Sequence, residues 1–220
     1  MRPGQPFIRL DWLVDNADEL ARRMGEQMYI TAIAIAAGIV ISFALTLLVR
    51  RYPRLAAPFL GIAGILYAIP SIAAFVLLIP ITHLTLWTAE IVLTSYTLVV
   101  LIRNMIAGFQ AVPADVLEAA DGMGYTNGQR LWRVELPIAL PIIVAGVRIA
   151  TVTTMGLVTI AALIGSGGLG YLIVNLGIQR QFPTATIAGV VLVVAASALV
   201  DWALVLLQRR LTPWSRVRAA

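Results

Sequence analysis

Three charged side chains fall inside otherwise apolar runs of this 220-residue chain: Glu90, Arg148 and Asp201. A charge within a membrane span is costly unless it is paired or wet, so such residues mark ion pairs, proton relays or solute paths. At about 1.5 Å per helical residue, Arg148 lies about 16 Å and Asp201 about 12 Å from the inner ends of their runs, and Glu90 about 19 Å. These depths make Asp201 the expected partner of Arg148, with Glu90 as the second choice. Other reactive chemistry is scarce. All 16 basic residues are arginine, so there is no lysine for a P-loop or a Schiff base. Cysteine is absent, which removes disulfides, thiol nucleophiles and thiolate metal sites. One histidine, His83, makes no zinc cluster, and any histidine triad would have to be built around it alone. It is expected to be a solvated loop residue. Gly165-Ser166-Gly167-Gly168-Leu169-Gly170 satisfies G-x-G-x-x-G, but a dinucleotide site needs a preceding strand and a downstream acid. Here an apolar helix precedes it, so Gly165, Gly167, Gly168 and Gly170 are expected to form a tight, flexible reversal in an outer loop. No catalytic or metal-binding residue is assigned.

The elements that carry these groups follow from composition. Hydrophobic residues make up 60% of the chain and charged residues 12%, against about 45–50% and about 25% in soluble domains. A helix needs about 20 apolar residues to cross about 30 Å of hydrocarbon. Runs of this kind cover about 28–49, 56–79, 86–102, 137–164 and 185–207. The expected fold is therefore an all-α, multi-pass integral membrane protein with one membrane domain over 28–207. The first run has no cleavage pattern after it and reads as a retained span. The net charge of +5 would suggest nucleic acid in a soluble protein. Here the arginines are dispersed between apolar runs, and no nucleic-acid partner is expected.

Arginine placement sets the expected orientation. Arg50, Arg51, Arg54, Arg103, Arg130, Arg133, Arg209, Arg210, Arg216 and Arg218 fall on one side, and Arg2, Arg9, Arg22, Arg23 and Arg180 on the other. The positive-inside rule then puts the N-terminus outside and the tail, 208–220, in the cytoplasm. Trp87, Trp202 and Trp214 suit interfacial belts. Within 1–27, Leu10, Leu13, Val14, Ala17, Leu20, Ala21 and Met24 recur at helical spacing between acids. This predicts an amphipathic helix lying on the outer membrane surface.

Two places in the spans are open to a functional or a packing reading. Pro70 removes a backbone hydrogen bond within the second run, and Ser71 can partly compensate. The bend either lines a pathway or is a packing kink. Thr151 and Met155 in the fourth run either face a pore or pack against another helix.

The long polar insert, 103–136, is the most structured connection. Pro113 and Asp115 suit a helix start, so 114–123 reads as a short helix. Gly124 can supply the left-handed residue that ends it. Thr126 and Gln129 form a T-x-x-Q capping box for a second short helix, whose apolar side is Leu131, Trp132 and Val134. Pro137 then opens the fourth span. Two ordered helices meeting at a glycine on the cytoplasmic face predict a docking site.

Glu118-Ala119-Ala120, three residues, Gly124, nine residues, Val134, one residue, Leu136-Pro137 resembles the EAA motif of ABC importer permeases, departing only in Val for Ile. Residues 136–173 and the AIPSIA stretch at 68–73 resemble the glycine betaine, choline and carnitine branch. The glycine-rich end also occurs in methionine permeases. The resemblance implies a type I ABC importer permease architecture in a bacterial inner membrane. Glu118, Ala119, Ala120, Gly124, Val134, Leu136 and Pro137 would then contact the ATPase. The partners it implies are two ATP-binding subunits, a second permease chain (identical or paralogous) and an extracytoplasmic solute-binding protein. ATP and Mg would be held by the ATPase, and this chain would bind no cofactor. The glycine loop would lie near the outer gate. The solute would be a compatible solute; methionine-type import and an ion-coupled secondary transporter, with Glu90, Arg148 and Asp201 as relays, are the alternatives.

Overall fold

In the computed structural model, residues 8–213 are described, and they form helices with no strand among them. α1 (Leu10–Asp15) is followed by α2 (Ala17–Arg51), α3 (Ala56–Ala68), α4 (Ser71–Thr82), α5 (Leu86–Gln110), α6 (Ala114–Gly122), α7 (Asn127–Arg130), α8 (Leu136–Ala161), a π-helix over Leu172–Ile178, and α9 (Pro183–Leu211). Four helices are long and apolar enough to cross a membrane, and the bent α3–α4 pair makes a fifth if it is one span. Arg2, Trp214, Arg216 and Arg218, used in the orientation argument, lie outside the described residues.

The leading segment differs from the sequence expectation. Residues 17–27 are the first turns of α2, not a separate surface helix. Glu19 bonds Arg22 and Arg23, and Arg23 bonds Glu26, at three- and four-residue spacing. Such pairs support a helix surface, so nothing ends the helix before Met28. At about 1.5 Å per residue, the 35 residues of α2 exceed a hydrocarbon core of about 30 Å, and the helix must project beyond it. The short α1 rests on protein: Trp12 meets the Phe182 ring edge-on at 5.0 Å, and the Arg9 N–H donates to Thr184 Oγ1 at 3.1 Å.

The second span is broken rather than kinked. Ile69 and Pro70 are extended (ψ 129° and 132°), and α3 and α4 diverge by 95°. A residue before proline is pushed out of the α region. The Ile69 carbonyl freed by the break accepts from the Tyr96 hydroxyl of α5, the role that the sequence assigned to Ser71.

α5 is the central rod, with Leu93, Leu101, Ile102 and Met105 fully covered. It packs against α2 and α8 through small residues. A Cβ on Gly38 would lie 2.1 Å from Thr97 Oγ1, and one on Gly146 would lie 2.4 Å from Asn104 Cβ. Close helix approach through glycine is how packing is gained in lipid, where burial itself supplies no drive.

The fourth span also differs. α7, a π turn at Leu131–Glu135 and α8 form one uninterrupted rod from Asn127. Pro137 removes a donor just past the π turn, where the ladder is already wide. The second short helix of the insert is thus the end of the span, not a separate element. The third span likewise runs on to Gln110, so the connection between the two spans is 111–126 and contains α6.

Candidate functional site

The joint between α6 and α7 forms as its local residues dictate. Gly124 has φ +77°, and a Cβ there would meet nothing within 4 Å. Its N–H donates to the Asp121 carbonyl at 3.0 Å, and the Tyr125 N–H donates to that of Ala120 at 3.2 Å, which satisfies the end of α6. Both halves of the Thr126–Gln129 capping box are made, at 3.3 and 2.9 Å. Glu118 and Ala119 are exposed on α6 while Ala120 is buried; Val134, Leu136 and Pro137 are half-buried at the root of the rod. Met123 and Trp132, apolar and 66% and 61% exposed, stand uncovered at the same end.

An ion cluster ties this joint to the bundle. Arg130 Nη1 donates to Asp121 of α6 at 2.6 Å, and Arg130 Nε donates to Glu135 at 2.9 Å. Arg50, at the end of α2, donates through Nε to Glu135 Oε2 at 2.6 Å and through Nη2 to Oε1. Glu135 is only 4% exposed and is the hub. Beside it lies a cavity of about 320 Å³ lined by Arg50, Arg130, Glu135, Ile106, Phe109 and Leu117. Sequence reasoning did not single out Glu135; its partner Arg50 is 85 residues away. The only signal was an acid among the arginines of the insert.

Arg148 and Asp201 do pair, through Nε–Oδ1 at 2.9 Å and Nη2–Oδ2 at 3.0 Å. This fork-to-fork geometry is the strong arrangement for arginine and a carboxylate. Gln208, two turns beyond Asp201, accepts from Arg148 Nη1 at 3.4 Å and donates to the Pro141 carbonyl at 3.1 Å. Glu90 is not part of this network. It is 4% exposed, and neither carboxylate oxygen has a hydrogen-bond partner among the described residues.

At the other end of α8, the glycine loop is latched rather than free. Gly165, Gly167 and Gly168 have φ of 80°, 86° and 73°, and Gly170 begins the following helix. The Gly168 N–H donates to Glu26 Oε2 at 2.9 Å, and the Leu169 N–H donates to Gln27 Oε1 at 3.2 Å. Gln27, wholly buried, also donates to the Met155 carbonyl at 2.8 Å. Arg23 bonds Glu26 and stacks over the Tyr171 ring at 3.8 Å from its centroid. A Cβ on Gly170 would lie 2.1 Å from the Thr159 carbonyl oxygen, so glycine is needed for that approach. The residues expected to be a flexible reversal are a fixed one, because α2 reaches far enough to hold them. A nucleotide phosphate has no access to amides already occupied in this way.

The remaining expectations separate. Pro70 is exposed and Ser71 half-buried at the α3–α4 break. Met155 is fully buried and Thr151 6% exposed, so both pack inside the subunit and neither faces an opening of this chain. The exposed face of α8 carries Ile149, Val152, Thr153 and Gly156 instead. His83 is exposed in the α4–α5 turn, and no group of three or more potential metal ligands occurs among the described residues.

This helical arrangement recurs in known proteins. The model of the family described as "Binding-protein-dependent transport system inner membrane component" matches residues 34–213. The osmoprotectant import permease protein OsmW of Salmonella typhimurium is 38% identical over 209 residues, covering 93% of this chain and 97% of the relative. The glycine betaine/carnitine/choline transport system permease protein OpuCB of Bacillus subtilis is 32% identical over 205 residues, covering 93% and 94%. Among solved structures, a chain of the inward-facing MetNI methionine ABC transporter superposes with a TM-score of 0.79 at 26% identity, covering 88% of this chain and 96% of that one. With a joint at Gly124, a rod from Asn127 and up to five spans, this chain belongs to the binding-protein-dependent transport system inner membrane components, the permeases of ABC importers.

Proposed function

We propose that this permease passes a small compatible solute of the glycine betaine, choline or carnitine kind, and that residues 114–134 dock on a separate ATP-binding subunit. The printed names of the relatives, osmoprotectant and glycine betaine/carnitine/choline permeases, support the solute class. The observation that carries the coupling reading is the continuity of α7, the π turn and α8. A docked joint that shifts moves the whole rod with it, so motion of the ATPase reaches the middle of the membrane without a flexible link. The exposed Met123 and Trp132 and the exposed edge of α6 at Glu118 and Ala119 provide the contact surface; Ala120 and the half-buried Val134, Leu136 and Pro137 anchor it. The arginine-rich end carrying α6 is cytoplasmic in this reading, which places the glycine loop and the start of α2 outside, where a solute-loaded binding protein docks.

The passage is built with a second permease chain, and ATP with Mg acts in the two ATPase subunits. Closure of the ATPases brings the two joints together and tips the rods from inward-open to outward-open. Each ligand shifts that balance only by its differential affinity for the two states. The test is to co-purify the chain with its partners and measure ATP hydrolysis with binding protein loaded with glycine betaine, choline, carnitine or methionine. Stimulation by the quaternary amines is expected. Stimulation by methionine alone, or transport abolished by an ionophore without ATP dependence, refutes the reading.

A further inference from the structure

Arg148 and Asp201 are too exposed for an ion pair sealed inside a subunit. Their side chains are 28% and 37% accessible, at the middle of α8 and ten residues before the end of α9. Hydrocarbon is a costly neighbour for charges so uncovered, so this face meets water or protein. It opens onto a groove of about 430 Å³ lined by Ala145, Arg148, Ile149, Val152, Thr153 and Asp201. That volume lies within the range of about 300–1,000 Å³ typical of small-ligand sites. On the α8 wall of the groove, Ile149, Val152 and Thr153 are exposed.

The pair is held in one orientation. Two N–H groups of Arg148 engage Asp201, and Gln208 steadies the third nitrogen from behind. A guanidinium has five N–H donors, so donors remain that can reach the groove. Each Asp201 oxygen likewise accepts one of these bonds and keeps further acceptor capacity. The groove therefore presents a fixed positive and a fixed negative group side by side.

We propose that this groove is a transit subsite for a zwitterion. The solute's carboxylate is taken by the free N–H groups of Arg148, and its quaternary ammonium rests against the outward side of the Asp201 carboxylate, with Ile149 and Val152 flanking its methyl groups. A quaternary ammonium donates no hydrogen bond, so a bare counter-charge is the partner it can use. No aromatic cage lines the groove, so binding is weak. Weak binding suits a passage, where a solute must enter and leave. The assignment rests on the solute class proposed above.

The test uses the reconstituted complex of permeases, ATPases and binding protein, with glycine betaine uptake, ATP hydrolysis and assembly measured together. Asp201→Asn lowers assembly through loss of the pair. The charge-swapped Arg148→Asp/Asp201→Arg double variant restores the pair and the assembly but reverses the polarity of the groove. Its uptake is expected to stay at least about tenfold below wild type, the factor that about 1.4 kcal/mol of lost interaction yields. Uptake restored together with assembly shows the pair to be structural only and overturns the proposal. Thr153→Phe fills the groove while leaving both charges of the pair in place, which keeps the test decisive if the swapped complex does not assemble. It is expected to assemble normally, keep hydrolysis stimulated by loaded binding protein, and lose uptake; wild-type uptake in this variant overturns the groove. A wild-type complex that moves no zwitterion refutes the solute class and the occupant with it, whereas wild-type uptake with an indifferent Thr153→Phe variant refutes the subsite alone.

Discussion

Replacing Glu135 with glutamine tests whether the joint is tied to the bundle by its ion cluster. Glu135 accepts three N–H bonds, two from Arg50 and one from Arg130, and is 4% exposed. Glutamine keeps the shape but offers one acceptor oxygen and turns a donor toward the guanidinium groups. At least one of the three bonds is lost outright, and those that remain lose the attraction of the negative charge. A hydrogen bond to a charged group contributes about 1.5–3 kcal/mol when buried. The arginine side chains are 26% and 21% exposed and recover part of their hydration. A net loss of about 2–3 kcal/mol follows once this screening is allowed for. For a bundle of this size that unfolds as one unit, this corresponds to a fall in Tm of about 4–12 °C. Asp121 is then the one carboxylate left on Arg130, and the tie between the end of the rod and α2 is loosened. The assay is thermal unfolding of the purified complex, together with solute moved per ATP hydrolysed. Glu135→Gln should show both a lower Tm and a lower coupling ratio. Glu135→Asp, which keeps the charge, should retain much of each, and Arg50→Gln should be milder because Glu135 keeps Arg130. Wild-type Tm and coupling in Glu135→Gln would refute the hub.

Substitutions at three further positions separate backbone, packing and polar effects. Gly124→Ala meets no neighbour, so its cost is the left-handed backbone alone, about 1–2 kcal/mol; the β-branched Gly124→Val costs more. Both should reach the membrane at normal abundance while transport and stimulated ATP hydrolysis fall, and normal values of both in Gly124→Val would reduce the joint to a solvated turn. Gly170→Ala forces a Cβ to 2.1 Å from the Thr159 carbonyl oxygen, an overpacking cost of at least about 1–3 kcal/mol, and an unchanged Tm would contradict that approach. Gln27→Leu strips the Leu169 N–H of its buried partner, at about 1–3 kcal/mol, and takes one donor from the Met155 carbonyl, which keeps the Thr159 hydroxyl; it should raise protease cleavage or amide exchange in 165–171, and undiminished protection there would show the loop to be held by its glycines alone.

Much of this molecule was legible in its residues because the relevant physics is local. Runs of apolar side chains long enough to cross a bilayer mark the spans whatever packs against them. The Gly124 joint and the Thr126–Gln129 capping box depend on one backbone angle and on partners three residues apart. The Arg148–Asp201 pair could be inferred as well, since a charge at that depth needs a counter-charge at a similar depth. Other features could not be read this way. Glu135 meets Arg50 across 85 residues, and Glu26 and Gln27 meet the glycine loop across 142. Hydropathy does not state where around a helix a residue points, so Met155 and Thr151 were as eligible for a pathway as Thr153. Packing of α8 against α5 and α2 decided that, turning the first two inward and leaving Thr153 exposed. The break at Pro70 has the same character. Proline dictates that the helix is interrupted there, but not the 95° between its halves nor that the freed carbonyl meets Tyr96 of α5, 27 residues on.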